Sequence, residues 1–369
     1  MDFRSTEETT DVEGLARDIV AKISDHDRLA ALETDGAGID TDLWRALADA
    51  GLLALEVDDA SGGAGLGVVE NVAVAEQLGR ALALVPFGPH SIAALPAIAR
   101  YGSDALRERW IADLVGGTAI VSVGVDEELA DDPTAPTTHA RADGDGWVIE
   151  GSKVAGPFAQ AARALIINAA TDDGVIAVVV ATDAPGVTVT PTRTTGLVPT
   201  AQVDLDGVTV AAADVLGGRD AVSFVADRMV LAQCAEQAGL VAQALDLTAE
   251  YGREREQFGR PIGSFQAVAQ RLADGYIDVR AAKLTLLQAA YLMGEGLPAD
   301  TELATAKFWA ADAGHRVAHT AVHVHGGVGI DTSHRLHRYF LRAKQNEFAL
   351  GTATTQLRRI GRALAAEPA

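Results

Sequence analysis

Residues 119–210 hold six short runs rich in β-branched residues: AIVSVGV (119–125), GWVIEGSKVA (146–155), RALIINAA (163–170), GVIAVVVAT (174–182), VTVTPT (187–192) and AQVDLDGVTV (201–210). Val, Ile and Thr favour a pleated backbone, and the Gly, Asp and Pro between the runs supply turns. The block therefore reads as an antiparallel sheet or barrel. On both sides the pattern changes to the three- and four-residue spacing of amphipathic helices. Before it come DLWRALADAGLLAL (42–55), for which Asp42 is the expected N-cap, and VVENVAVAEQLGRAL (68–82). After it come DRMVLAQCAEQAGLVAQALDLTAEYGRERE (227–256) and helical stretches over 264–293, 299–325 and 334–366. The strands are contiguous and do not alternate with helices, which argues against a doubly wound parallel sheet. The expected division is a helical domain over 1–117, a β-barrel-like middle domain over 118–217 and a helical bundle over 218–369. Gly62, Gly63, Gly65 and Gly67 lack a preceding strand and the spacing of a dinucleotide fingerprint, so they read as a tight turn between helices.

The chain of 369 residues carries 51 acidic and 30 basic side chains, so its formal charge is 30 − 51 = −21. Such a surface repels phosphate backbones and excludes nucleic acid as the expected partner. A single cysteine, Cys234, permits no internal disulfide and suits a reducing compartment. The N-terminus is acidic and lacks an apolar signal core, and the longest strongly apolar run, 175–181, is far short of the ~20 residues of a membrane span. A cytoplasmic protein is expected.

Six of the nine histidines fall between residues 315 and 337. His315, His319 and His323 are spaced to share one helix face, with His325 just beyond, and i, i+4 histidines can share zinc. HEXXH is not present, however, and no carboxylate falls within the set, so a packing or subunit face is the expected role and no metal is assigned. The chain has neither a GxSxG elbow nor a Walker A loop. The acidic run Asp126, Glu127, Glu128, Asp131 and Asp132 lacks EF-hand spacing and reads as a solvated loop.

The string YGREREQFGRPIGSFQAVAQRLAD (251–274), with VHVHGGVG (322–329), resembles the acyl-CoA dehydrogenase family. So do ALADAGLLAL (46–55), YGSDALRERWIADLVGG (101–117), GWVIEGSKV (146–154) and AKQNEFALGTATTQLRRIGR (343–362), in the family's order. The resemblance implies an α+β multidomain fold: an α-helical N-terminal domain, an antiparallel β middle domain and a C-terminal four-helix bundle, assembled as dimers or tetramers. It also implies FAD, an acyl-CoA thioester and α,β-dehydrogenation, in which a carboxylate takes the α proton while the β hydride passes to the flavin.

Family members divide FAD between two subunits, and the two half-sites fare differently in this chain. For the ADP half, the resemblance assigns Arg255 to the pyrophosphate, Phe258 beside it, Gln266 on the next helix, and His323, Gly326 and Gly327 in the family's Q-x-x-G-G-x-G, with His in place of Gln. For the flavin half, the family's T-E-P-x-x-G-S-D loop is replaced by the acidic run from Val125 to Asp132. Its K-x-W-I-T-N strand becomes Lys153, Val154, Ala155, Gly156, Pro157, Phe158. Leu350 occupies the usual position of the Glu base. Asp227 matches the alternative base position of some members, one methylene shorter. This pattern resembles the non-catalytic subunit of heteromeric α2β2 actinobacterial steroid side-chain dehydrogenases. The implied function is to share FAD with a homologous catalytic subunit that holds most of the acyl-CoA. Two alternatives stay open: a self-sufficient homomeric dehydrogenase using Asp227, and a cofactor-free structural or regulatory paralogue.

Overall fold

The computed structural model describes residues 3–35, 38–130 and 132–366, so Asp131 of the acidic run lies outside the described residues. At its centre are β1 (Val121–Gly124), β2 (His139–Asp143), β3 (Gly146–Pro157), β4 (Ala164–Thr171), β5 (Gly174–Ala181), β6 (Val187–Thr192), β7 (Thr200–Val210) and β8 (Val215–Gly217). They form one sheet in the order β6-β7-β3-β2-β4-β5-β8, with β1 also on β4. Strand alternation divides its side chains between two cores. Ala164 and Ile166 of β4 pack with the helices, while Leu165, Ile167 and Ala169 fill the core that the sheet closes around itself.

The purely antiparallel sheet expected from the sequence requires a correction. β1 runs parallel to β4, from Val121 opposite Ala164 to Gly124 opposite Ile167, and β2 meets the same strand in parallel at His139 opposite Ala170. β1 enters from the helical layer rather than through a hairpin, which frees it to run in either direction. Residues 125–138 leave the sheet between two strands that share one edge of β4. β3 is irregular where it faces β7: its register shifts between Lys153 and Gly156, and Ala155 and Phe158 take φ of +51° and +53°. Pro157 ends the strand, where its missing N–H costs little.

Before the sheet come α1 (Glu7–Ile23), α2 (His26–Asp35), α3 (Thr41–Asp49), α4 (Val68–Arg80), a π-helical turn over Gly88–Ala94, α5 (Leu95–Tyr101) and α6 (Asp104–Val115). The cap of α3 is Asp40, whose side chain accepts from Leu43 N, and Asp42 lies in the first turn instead. The glycine loop is tight, as expected: a Cβ on Gly63 would lie 2.1 Å from the Val57 carbonyl oxygen.

After the sheet come α7 (Arg219–Glu254), a small hairpin of β9 (Glu256–Gln257) and β10 (Arg260–Pro261), α8 (Gln266–Gly294), α9 (Asp300–His325), α10 (Leu336–Phe348) and α11 (Ala353–Ala366). The last stretch, expected as one helix, breaks at Leu350 and Gly351, whose φ values are +54° and +97°. α4 and α7 cross at very short range. A Cβ on Gly79 would sit 2.2 Å from the Glu236 carbonyl oxygen, and one on Gly239 1.9 Å from that of Glu76. Two side-chain-free surfaces allow this approach, which locks the N-terminal helices to the bundle. Among the described residues, no helix is long and apolar enough to cross a membrane.

Candidate functional site

Below the α4–α7 crossing, helices and sheet enclose a cleft of about 130 Å³. Leu78 of α4, Met229, Ala232 and Gln233 of α7, and Val123 and Val125 at the end of β1 line it. The irregular end of β3 (Val154 to Phe158) and the α10–α11 turn with Ala349 and Leu350 complete the wall. The cleft is largely apolar because each element turns its core-facing stripe toward it.

Leu350 is buried in this wall, 9 % exposed, at the position where the resemblance expects a base. An isobutyl group cannot carry a proton. Asp126 lines the cleft from the sheet side, as Glu236 does from α7. Burial pushes the Asp126 pKa up to about 6, against the pull of Lys307 and Lys153. Lys307 of α9 is fully buried and donates to the Asn346 carbonyl oxygen at 2.7 Å. Burial lowers its pKa to about 8, and Cys234, Asp126 and Glu347 act in the opposite direction. Arg342 also lines the cleft, but its guanidinium is bound to Glu236 at 2.6 Å and to the Gly196 carbonyl oxygen at 2.8 Å. Gln233 Oε1 is buried and has no hydrogen-bond partner.

The acidic run is not the solvated loop expected from its composition. Glu128, Leu129 and Ala130 are exposed, but Glu127 turns inward and is buried. Its carboxylate accepts from Lys153 Nζ at 2.5 Å, Thr137 N at 2.5 Å, Thr137 Oγ1 at 2.6 Å and Thr138 N at 2.9 Å. Burial works to raise the Glu127 pKa, but these donors outweigh it and hold the carboxyl down to about 2. Lys153 also donates to the Asn168 carbonyl oxygen at 2.7 Å. A loop that in the resembling family would contact flavin is here anchored internally.

Asp227 is not among the residues lining this cleft. Its charged surroundings are Arg359 of α11, Asp300 at the start of α9 and Asp132, and burial raises its pKa to about 7.

The residues assigned to an ADP half gather at the far end of the bundle. The Tyr251 ring stacks on His325 at 4.3 Å, which brings the end of α7 to the end of α9. Arg255, Gln266, His323, Gly326 and Gly327 are exposed there. Phe258, on the hairpin turn with φ +54°, is 93 % exposed and edge-on to Phe265 at 6.1 Å. Cβ atoms built on Gly326 and Gly327 meet nothing within 4 Å, so the backbone faces open space.

α9 disperses its histidines. His315 bonds Glu347 at 3.2 Å, His319 lies 4.4 Å from His315 and edge-on to Phe340, His323 is exposed and His325 is buried under Tyr251. Among the described residues, no three metal-ligating side chains gather.

Lys307, Gln233 and the Arg342–Glu236 pair escaped sequence reading. Lys307 left one trace, a lone cation among Ala304, Ala306, Ala310 and Ala311 on a buried helix face.

Comparison with known proteins agrees with this architecture. Residues 6–118 match the model for the acyl-CoA dehydrogenase N-terminal domain, and residues 219–365 that for the acyl-CoA dehydrogenase C-terminal domain. The chain is 46% identical to acyl-CoA dehydrogenase FadE27 of Mycobacterium tuberculosis, over 100% of both chains. It is 31% identical to FadE28 of the same organism, over 86% of this chain and 91% of that protein. Among solved structures it is similar to a chain of the ChsE4-ChsE5 complex from Mycobacterium tuberculosis, with TM-score 0.96, 47% identity and full coverage of both. It is also similar to a chain of the Tcur3481-Tcur3483 steroid ACAD G363A variant, with TM-score 0.93, 39% identity and 98% coverage of each. Fold, motif order and these matches converge: the chain belongs to the acyl-CoA dehydrogenase family.

Proposed function

We propose that this chain is the non-catalytic subunit of a heteromeric acyl-CoA dehydrogenase, lending the ADP half of an FAD site to a homologous catalytic partner. One contrast carries this reading. The Arg255 and Phe258 side chains are exposed, and that of Arg255 makes no hydrogen bond or ion pair among the described residues, whereas the cleft has Leu350 in place of a base and Asp126 in its wall. An exposed guanidinium at the same end of the bundle as open glycine backbone suits a pyrophosphate, for which Arg offers a fork of donors. A carboxylate and a strand ended by proline do not suit an electron-rich flavin ring. Bound FAD supplies the hydride acceptor, and in this proposal the partner supplies the base and the flavin-ring contacts.

Two further observations support an assembly. Tyr276 and Ile277 on α8 are each 61% exposed, and Leu357 and Leu364 stand out on α11. Apolar faces of this kind are typical of subunit contacts. The chain is also similar to members of two-component complexes, one of them named a steroid ACAD. We extend that name to propose a steroid side-chain CoA thioester as the substrate class, and a cytoplasmic α2β2 assembly with two FAD.

A second reading, a homomeric dehydrogenase using Asp227, draws on that residue's raised proton affinity. Expression alone and with a partner dehydrogenase separates the two. The subunit reading expects little FAD and no acyl-CoA oxidation from this chain alone, and one FAD per pair on co-expression. Stoichiometric FAD with turnover by the isolated chain would sink it. Unchanged FAD content in a complex carrying Arg255→Ala would favour a cofactor-free scaffold.

A further inference from the structure

The cleft beside Leu350 is left without chemistry by the proposed function, yet its walls are not those of a collapsed site. Its volume of about 130 Å³ is room for on the order of ten waters, or an apolar molecule of roughly ten to fifteen heavy atoms. Leu78, Val85, Phe87, Met229 and Leu350 offer that body an apolar surface.

The polar groups define the other end. Gln233 Oε1 is buried without a partner, a costly state unless a donor fills it. Asp126 lines the same cleft, and its electrostatics are set by burial and the charges of Lys307 and Lys153 rather than by a hydrogen bond. A cationic ligand gains little from it, because Lys307 and Lys153 already supply positive charge from behind. An anionic ligand is repelled by Asp126 and finds no free cation, since Arg342 is held by Glu236 and the Gly196 carbonyl oxygen. The complementary group is neutral and can donate. A hydroxyl meets both conditions.

We infer that this cleft is a binding site for an uncharged apolar alcohol, its body against Leu78, Phe87 and Leu350 and its hydroxyl donating to Gln233 Oε1, with Asp126 in the same wall excluding an anion. Occupation would satisfy Gln233 and stiffen the contact between the α10–α11 turn and the sheet. The inference does not depend on the subunit reading, because its readout is binding to this chain rather than FAD content or turnover.

Titration calorimetry of the full chain at pH 8, with octan-1-ol and octanoate as probes, tests it. The expected result is saturable binding of one octan-1-ol per chain, with octanoate at least tenfold weaker. Gln233→Leu should weaken octan-1-ol about fivefold or more, and Asp126→Asn should bring octanoate to within about threefold of the alcohol. No saturable octan-1-ol binding by the unaltered chain would overturn the site. Octanoate binding as tightly as the alcohol would overturn the ligand class, as would a preference that Asp126→Asn leaves unmoved. The comparison within the unaltered chain stands even if a variant fails to fold.

Discussion

Glu127 Oε1 and Lys153 Nζ lie 2.5 Å apart inside the sheet's shell, with side chains 3% and 0% exposed. The pair joins the loop over residues 125–138 to β3. A buried ion pair is a weak stabiliser as a whole, but stranding one member is expensive. Lys153→Met should therefore destabilise the chain by about 3–5 kcal/mol, and adding Glu127→Gln should recover a large part of the loss. Urea denaturation of the single and double variants checks this.

Two groups make the fold acid-labile, each in its own pH range. His90 is buried between α6 and β1, bonded to the Leu114 carbonyl oxygen and accepting from Val121 N. Burial lowers its pKa to about 4, against the pull of the bond to the Leu114 carbonyl oxygen. The unfolded chain therefore takes up the proton first, and stability present above the ordinary value near 6.5 is lost as pH falls toward 4. Glu127, held down to about 2, contributes stability above its ordinary value of 4.5 that is lost as pH falls toward 2. Measured against the unaltered chain, His90→Gln should lose less melting temperature as pH falls from 6.5 toward 4, a difference that isolates His90 from groups such as Asp227 that titrate in the opposite sense.

Asp227 behaves in the opposite sense. Its folded pKa of about 7 exceeds the ordinary 3.8, chiefly through burial. The folded chain keeps the proton longer, so the ionisation penalty is absent below 3.8, grows as pH rises and is complete above about 7. Asp227→Asn should raise stability by about 1 kcal/mol or more at pH 8, with no gain at pH 4. On the subunit reading it also leaves acyl-CoA oxidation by the co-expressed complex unchanged; loss of that oxidation would favour the homomeric reading.

Gly79→Ala and Gly239→Ala each insert a methyl where a carbonyl oxygen sits about 2 Å away. Helices in a packed core cannot part cheaply, so either change should cost roughly 1–3 kcal/mol or more. Ala at Gly361, where a Cβ meets nothing within 4 Å, should be neutral or slightly stabilising. Thermal denaturation of the three variants tests the contrast.

Arg255→Ala should leave the isolated chain's stability within about 0.5 kcal/mol, because the side chain is exposed. In the complex it should lower FAD content severalfold. Flavin absorbance per mole of purified complex is the measurement.

Element types were legible from the sequence because periodicity reports the face each element buries. The six β runs and the long helices follow from it. Pairing direction was not: nothing in AIVSVGV distinguishes a parallel neighbour from an antiparallel one. The break at Leu350 was hidden because leucine is a good helix former, and only the following glycine hints at positive φ. Motif order named Arg255, Phe258, Gln266, His323, Gly326 and Gly327 as a group, and the fold brings them, exposed, to one end of the bundle. The cleft was not legible, because Asp126 and Lys307 meet only through the fold, and composition treats a run of carboxylates as surface. Asp126 and Glu127 are adjacent, yet one lines the cleft and the other bonds an internal lysine.

The shared edge of β4 has a consequence for how such a protein can change. Strand pieces fix both ends of the segment over residues 125–138, one before it and one after, and neither depends on what lies between. Changing the length of a loop closed at both ends adds little entropy. The segment is therefore an exchangeable cassette once Lys153, which a loop without Glu127 would strand, is exchanged with it. A lineage could trade a cofactor-gripping loop for a self-anchored one, and a laboratory could reverse the trade by transplantation, without re-registering a single strand.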